Sequence, residues 1–240
     1  MKQKEMPGIT VDMKVMRCEQ NILNNPDGSA DYSEGDTNVL VAVYGPADCR
    51  ESKQLIDKST IEVSFRPKDG IPGVAEKYLE HTIRHTFENV IMTHLYPRSQ
   101  IMIIVQIVQD CGSLLSCAIN GCSMALQDAG ISMTCMPAAI SMALTKRAME
   151  YGISEPGEGD TRVEEVVLTP ATTEEQEASA SMLFVLDSVK RNVISIISKG
   201  TIDPVLHKRC LIAARTASEI VFKFYRDSVA KKVSSSVDFT

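Results

Sequence analysis

Residues 113–129 carry a helical pattern in which no charged residue appears before Asp128. Leu115, Ala118, Ile119, Cys122, Ala125, Leu126 and Ala129 make a wide apolar stripe, and Ser113, Ser116, Asn120, Ser123 and Gln127 make a narrow polar one. A helix of this composition has no face to give to water, which predicts burial on most sides and close packing through small side chains. Gly130 supplies its stop. An apolar strand, Ile101–Val108, leads into the helix through Asp110, Cys111 and Gly112. A strand–turn–helix junction presents backbone N–H groups that can hold a phosphate. The candidate donors are the amides of Gly112, Ser113 and Leu114 and the Ser113 hydroxyl. An ordinary turn capped by Asp110 accounts for the same residues, because short glycine turns are common.

The first third reads as a meander. Strands are expected over Arg17–Ile22, Ser29–Ser33 and Thr37–Tyr44, separated by turns at Asn24–Gly28 and Glu34–Asp36. Residues 46–59 read as a polar loop, and Ile61–Arg66 alternates as a strand does. The spacing of Ala75, Leu79, Ile83, Phe87 and Val90 predicts a helix over 75–92, with Lys77, His81, Arg84 and Glu88 opposite. Beyond Gly130, Ala138–Leu144 and Arg162–Leu168 look like a strand pair around a hydrophilic loop, Thr145–Thr161. Thr172–Ala180 is acidic and helix-capable, and Ser181–Asp187 with Asn192–Ser198 is a hairpin candidate. Asp203 and Pro204 are an N-cap and a first-turn proline opening a helix to about Ala230. Its expected core stripe is Leu206, Cys210, Ala213, Ala217, Ile220, Val221 and Phe224. The fold class is α+β, with mixed sheets and packed helices. One domain is expected over 17–230, with a mobile insertion at about 145–161, an N-terminal extension over 1–16 and a Ser-rich tail over 231–240.

The chain has 240 residues, 44% of them apolar and 23% charged, and no tryptophan, so its core rests on aliphatic side chains, Met, Ala and Cys. Seven cysteines without a Cys-x-x-Cys pair, and four histidines without paired-ligand spacing, give no zinc site and no metal or other cofactor. The odd cysteine count and the absence of an apolar leader favour a reducing compartment. No apolar run approaches the roughly 20 residues of a membrane span. With a net charge of −6, any nucleic-acid contact has to be a local patch or be shared with neighbouring subunits.

Three ordered stretches, Gly28–Pro46, Gln109–Gly130 and Val221–Ser228, resemble the RNase PH family of phosphorolytic ribonucleases. The likeness extends over about residues 17–228. Within the family, Gly112–Asn120, Leu183–Val189 and Phe222–Ser228 are most similar to the RNase PH-like ring subunits of the eukaryotic RNA exosome. The resemblance implies the RNase PH fold (ribosomal protein S5 domain 2-like). Active members cleave RNA from its 3′ end with inorganic phosphate, which needs a phosphate clamp, a basic RNA-gripping helix and an acidic pair. By this likeness Gly112 and Ser113 match the phosphate turn, but Leu114 stands at its arginine, and an alkyl chain cannot clamp phosphate. In the basic helix, His81 and His85 replace arginines, Glu88 replaces another and Arg84 is gained. Lys77, His81, Arg84 and Arg98 are the expected RNA contacts. The acidic pair falls on Glu175 and Ser181, which leaves Glu174 and Glu175 as the weak catalytic candidates.

The resemblance thus implies a non-catalytic, RNA-contacting ring subunit supporting 3′-to-5′ RNA processing and degradation, including rRNA processing. Its partners would be other RNase PH-like subunits, S1/KH cap proteins and RNA, in nucleus, nucleolus and cytoplasm. The alternative is a residual phosphorolytic or metal-dependent nuclease acting as a homodimer.

Overall fold

The computed structural model describes residues 9–10, 13–147 and 163–237. One five-stranded sheet is N-terminal: β2 (Met16–Gln20), β3 (Gly28–Glu34), β4 (Thr37–Asp48), β5 (Thr60–Arg66) and β6 (Ser99–Gln109), in the spatial order β2-β3-β4-β6-β5. The other is mainly C-terminal and joins β1 (Ile9–Thr10) to β7 (Pro137–Arg147), β8 (Val163–Leu168), β9 (Ala180–Asp187) and β10 (Val193–Gly200), in the order β1-β8-β7-β9-β10. The helices are α1 (Val74–Glu88), α2 (Leu114–Asp128), α3 (Thr172–Glu177) and α4 (Pro204–Val237).

Strand alternation sets the N-terminal sheet. Ile61, Val63 and Phe65 of β5 and Ile101, Ile103, Val105 and Ile107 of β6 are buried, while Glu62, Ser64, Met102 and Ile104 face outward. β5 and β6 run parallel, joined by the α1 crossover, and the other neighbours in the sheet are antiparallel. The β3–β4 hairpin closes through Gly35, whose φ of +64° suits the tight turn.

Helix α2 lies between the sheets, against β3 and β4 on one side and β7 on the other. Residues 116–126 of it are all buried. A Cβ on Gly121 would lie 3.2 Å from Tyr32 Cβ and from Val41 Cγ2, so the helix approaches the N-terminal sheet at that residue's expense. The polar stripe faces β7. Strand β8 pairs with β7 only from Met142 onward, so the same edge of β7 is bare at Ala139. Asn120 fills the gap: its Nδ2 donates to Ala139 O at 3.0 Å, and its Oδ1 accepts the Ala139 N–H at 2.8 Å. The side-chain amide thus stands where a strand would. Oδ1 also accepts the Tyr225 hydroxyl at 2.9 Å, which ties α4 to the same point.

Helix α4 covers the far face of the C-terminal sheet. Cys210, Ala213, Ala214 and Ala217 pack on Ile140, Met142, Phe184 and Leu186, and further along Val221, Phe222 and Tyr225 enter the core around α2.

Several elements depart from the sequence reading. Helix α1 stops at Glu88, and its first turn is exposed, so Ala75 stays out of the core and Leu79 is half-buried. The expected loop at 46–59 is shortened because β4 continues to Asp48. Ile9–Thr10, expected in an extension, pairs in parallel with Val166 and Val167 and covers the outer edge of β8. Thr145–Arg147 continue β7; the rest of the expected insertion, and Arg162, lie outside the described residues. Ile220 of α4 is 40% exposed rather than in its core stripe. The expected tail is helical to Val237, and Lys232 forms an ion pair with Asp128 at the end of α2, which fixes those last turns to the body.

Removing the Asn120 amide strands the Ala139 N–H and C=O in the core. Asn120→Ala is expected to cost roughly 3 kcal/mol, and Tyr225→Phe, which removes one donor and strands nothing on β7, about 1 kcal/mol. Urea denaturation followed by far-UV circular dichroism measures both; equal losses would contradict the bridging role.

Candidate nucleic-acid interface

Strand β6 ends at Gln109, and Cys111–Ser113 turn the chain into α2. Three elements hold this turn. From the start of β4, Thr37 Oγ1 accepts the Cys111 N–H at 3.1 Å and donates to Gly112 O at 2.7 Å. At the start of α3, Thr172 N–H donates to Cys111 O at 3.2 Å, and just before it Pro170 O accepts the Ser113 hydroxyl at 2.9 Å. Gly112 has φ +99°, and a Cβ there would fall 2.5 Å from Pro170 O, so no other residue fits.

Two of the three amides expected to meet a phosphate already have acceptors. Gly112 N–H donates to Asp110 Oδ1 at 3.1 Å, and Ser113 N–H donates to Glu175 Oε1 at 2.8 Å. A carboxylate at the N-terminus of α2 satisfies an otherwise orphan donor and complements the helix dipole. Glu174, the other acidic candidate, turns back on its own helix and accepts the Ala171 N–H at 2.8 Å. Both carboxylates therefore act as caps. Leu114 is half-buried and packs against the core around α2. Ser181 lies on β9 opposite Ala143. Among the described residues, no cluster of His, Cys, Asp and Glu could hold a metal.

Behind the turn lies Glu34, 2% exposed, with both carboxyl oxygens buried and unpartnered. The nearby Ser116 hydroxyl donates to Ser113 O at 2.8 Å instead. Burial pushes the Glu34 carboxyl up to about 7, against the opposing pull of Lys14 and Ser116.

The four expected RNA contacts do not form one cluster. Lys77 and His81 are exposed on α1, with Arg84 one turn further and half-buried. Arg98 sits in the loop before β6 with φ +60°, its N–H donating to Leu55 O at 3.3 Å. Helix α1 connects the end of β5 to the start of β6, so Arg98 belongs to the end of the helix away from Lys77. Arg84 instead reaches a cleft shared with Arg50, Lys53 and Arg66, three cations that the sequence reading did not single out. Their only local signal is the outward position of Arg66 in an alternating strand, which any solvated residue shares.

The description "3′ exoribonuclease family, domain 1" (RNase PH) matches residues 12–132, which include this turn and α1. An exosome complex exonuclease RRP46 homolog of Arabidopsis thaliana is 31% identical over 93% of this chain and 94% of its own. The chain belongs to the RNase PH family. The crystal structure of rice (Oryza sativa) Rrp46 superposes with a TM-score of 0.78 at 30% identity, covering 92% of this chain and 96% of that one. The archaeal exosome core shares the fold, with a TM-score of 0.69 at 13% identity over 90% of this chain and 88% of its own. The RNase PH fold is thus the fold of this chain.

The raised Glu34 carboxyl gives a pH signature. The unfolded chain ionises this group from about 4.5, while the folded protein holds the proton to about 7. Stability falls as pH rises through that window, by roughly 3 kcal/mol in total. Glu34→Gln removes the titration, so its stability relative to the unsubstituted protein is expected to increase from pH 4 to pH 8 by about that amount. Urea midpoints at the two pH values measure it; a difference independent of pH would show that Glu34 does not titrate there.

Proposed function

We propose that this RNase PH family protein is a non-catalytic ring subunit of an RNA exosome, contributing structure and RNA contact to 3′-to-5′ RNA processing and degradation, rRNA processing included. The observation that carries the reading is the Glu175 carboxylate on the Ser113 amide, beside Leu114 at the family's arginine position. Phosphate would have to displace a bonded carboxylate and would gain no guanidinium for doing so. Removing one preorganised charge stabiliser typically costs about 10²–10³ in rate. Here an arginine is replaced by leucine, and the acidic pair has a serine at Ser181. Similarity to Rrp46 proteins over nearly the whole chain supports assembly with other RNase PH-like exosome subunits, and by extension with S1/KH cap proteins.

RNA contact is assigned to Lys77, His81, Arg84 and Arg98, with Gly112 and Ser113 retained as the turn's architecture and Glu174 and Glu175 as caps. The domain spans about 17–230 in this reading. The protein works in nucleus, nucleolus and cytoplasm; among the described residues no helix is long and apolar enough to cross a membrane. The homodimeric nuclease is the less favoured reading, since both candidate carboxylates are engaged.

Two measurements test the proposal. Affinity purification of the tagged chain is expected to recover related ring subunits in equal amounts by quantitative mass spectrometry. Purified protein with 3′-labelled RNA, inorganic phosphate and Mg²⁺ is expected to release no nucleoside diphosphate; phosphate-dependent release would establish the enzyme reading instead. In the assembled ring, Lys77→Glu with Arg98→Glu is expected to lower RNA crosslinking about tenfold, and unchanged crosslinking would remove those two residues from the RNA path.

A further inference from the structure

The outward face of the N-terminal sheet holds a cavity of about 490 Å³ between β5, β6, the loop before β5 and the side of α1. Arg50, Lys53, Arg66 and Arg84 line it together with two carboxylates, Glu62 and Glu80. Both carboxylates are held by hydrogen bonds. Glu62 bonds Lys53 and Gln100, and Glu80 Oε1 accepts the Phe65 N–H at 2.9 Å on the free edge of β5. Arg50, Arg66 and Arg84 make no ion pair among the described residues, and Arg84 Nε is buried without a hydrogen-bond partner. A buried guanidinium N–H without an acceptor is costly, and a ligand acceptor would relieve that cost. Cations outnumber carboxylates four to two in this lining, although the chain as a whole carries a net charge of −6.

The floor of the cavity is mixed, with Glu62 and Ser64 of β5 beside an apolar strip on β6. Met102 and Ile104 form that strip, and Tyr44 of β4, 36% exposed, stands opposite Met102 on the same face of the sheet. We propose that this cleft is a binding site for one nucleotide unit of single-stranded RNA, with its phosphate on Arg50, Arg66 and Arg84 and its base against Met102, Ile104 and Tyr44. The inference rests on the RNA-contacting reading above and adds a site outside the exposed face of α1. Guanidinium groups suit phosphate through paired, charge-assisted hydrogen bonds. Single-stranded RNA is commonly held by backbone cations beside a surface on which a base can lie. The volume falls within the roughly 300–1,000 Å³ of small-ligand sites. A run of Asp and Glu would satisfy the arginines but carries no ring to lie on Met102 and Ile104.

The test uses the full chain and a 5′-fluorescein-labelled twelve-residue oligouridylate, followed by fluorescence anisotropy across a salt series. Arg50 and Arg66 are exposed, so Arg50→Gln with Arg66→Gln leaves the core untouched. The double variant is expected to bind at least about tenfold more weakly. Its slope of log affinity against log salt should be shallower by about 0.7 for each phosphate that the protein no longer neutralises. Lys208→Gln with Arg209→Gln, an equal charge change on exposed residues of α4, is the control and is expected to change affinity less than about twofold. Uridine monophosphate should compete with the RNA, and uridine should not. An affinity and slope matching the control would overturn the site. So would displacement of the RNA by oligoglutamate but not by uridine monophosphate, which would assign the cleft to an acidic protein segment. If Lys77→Glu with Arg98→Glu abolishes binding while the cleft variant retains it, this inference falls and the RNA-contacting reading stands. If the cleft variant loses binding but the chain recovers no ring subunits, the assembly reading falls and the site stands.

Discussion

Helix α2 has to satisfy two sheets at once, and the rest of the molecule is arranged around that demand. Its apolar stripe and Gly121 are set against β3 and β4, while its polar stripe meets β7. Both sides are buried, so each polar atom on the helix needs a partner. Asn120 supplies the most consequential one, pairing with both backbone groups of Ala139 where β8 no longer reaches β7, and receiving Tyr225 from α4 at the same oxygen. One side chain therefore registers the helix against the strand and the last helix against both. An alanine there would fit the space and leave the strand's edge unpaired.

The turn at the start of α2 is a joint held from three sides. The strand, the glycine with positive φ and the helix N-terminus are all present, and they are held by Thr37, Pro170 and Thr172. A helix N-terminus attracts an anion whatever its source. In this chain the anion is Glu175, which is covalently tethered and already ordered by α3. A tethered carboxylate loses little entropy on docking, so it competes well against free phosphate when no arginine favours the latter. The Glu175 carboxylate on the Ser113 amide thereby joins the α2 and α3 segments.

Charge follows a similar logic. A net acidic chain can still concentrate cations where its fold brings distant segments together, as Arg50, Arg66 and Arg84 meet from a loop, a strand end and a helix. Glu62 and Glu80 offset part of that field, and Lys53, Gln100 and the Phe65 N–H hold their oxygens in place, which leaves the arginines in excess. The cleft's electrostatic character is thus set by pairing as much as by composition.

Much of the fold was legible in local pattern. Alternation marked β5, the apolar runs marked β4 and β6, the hairpin of β9 and β10 stood out between turn residues, and Asp203 with Pro204 marked the start of α4. The near absence of charge in α2 announced its burial. Periodicity of this kind is a property of neighbouring residues, and it fixes which face of an element leaves water. Partner identity is different, because it joins residues far apart in the chain. That Glu175 would occupy the amide of Ser113, that Asn120 would complete the edge of β7, and that Ile9–Thr10 would pair with β8 each depended on how the sheets were placed. Residue order alone carried the layers and the family. Which carboxylate caps the start of α2, and which arginines of the cleft make no ion pair among the described residues, was settled only in three dimensions, because hydrogen bonds and ion pairs form across the fold and leave no trace in local spacing.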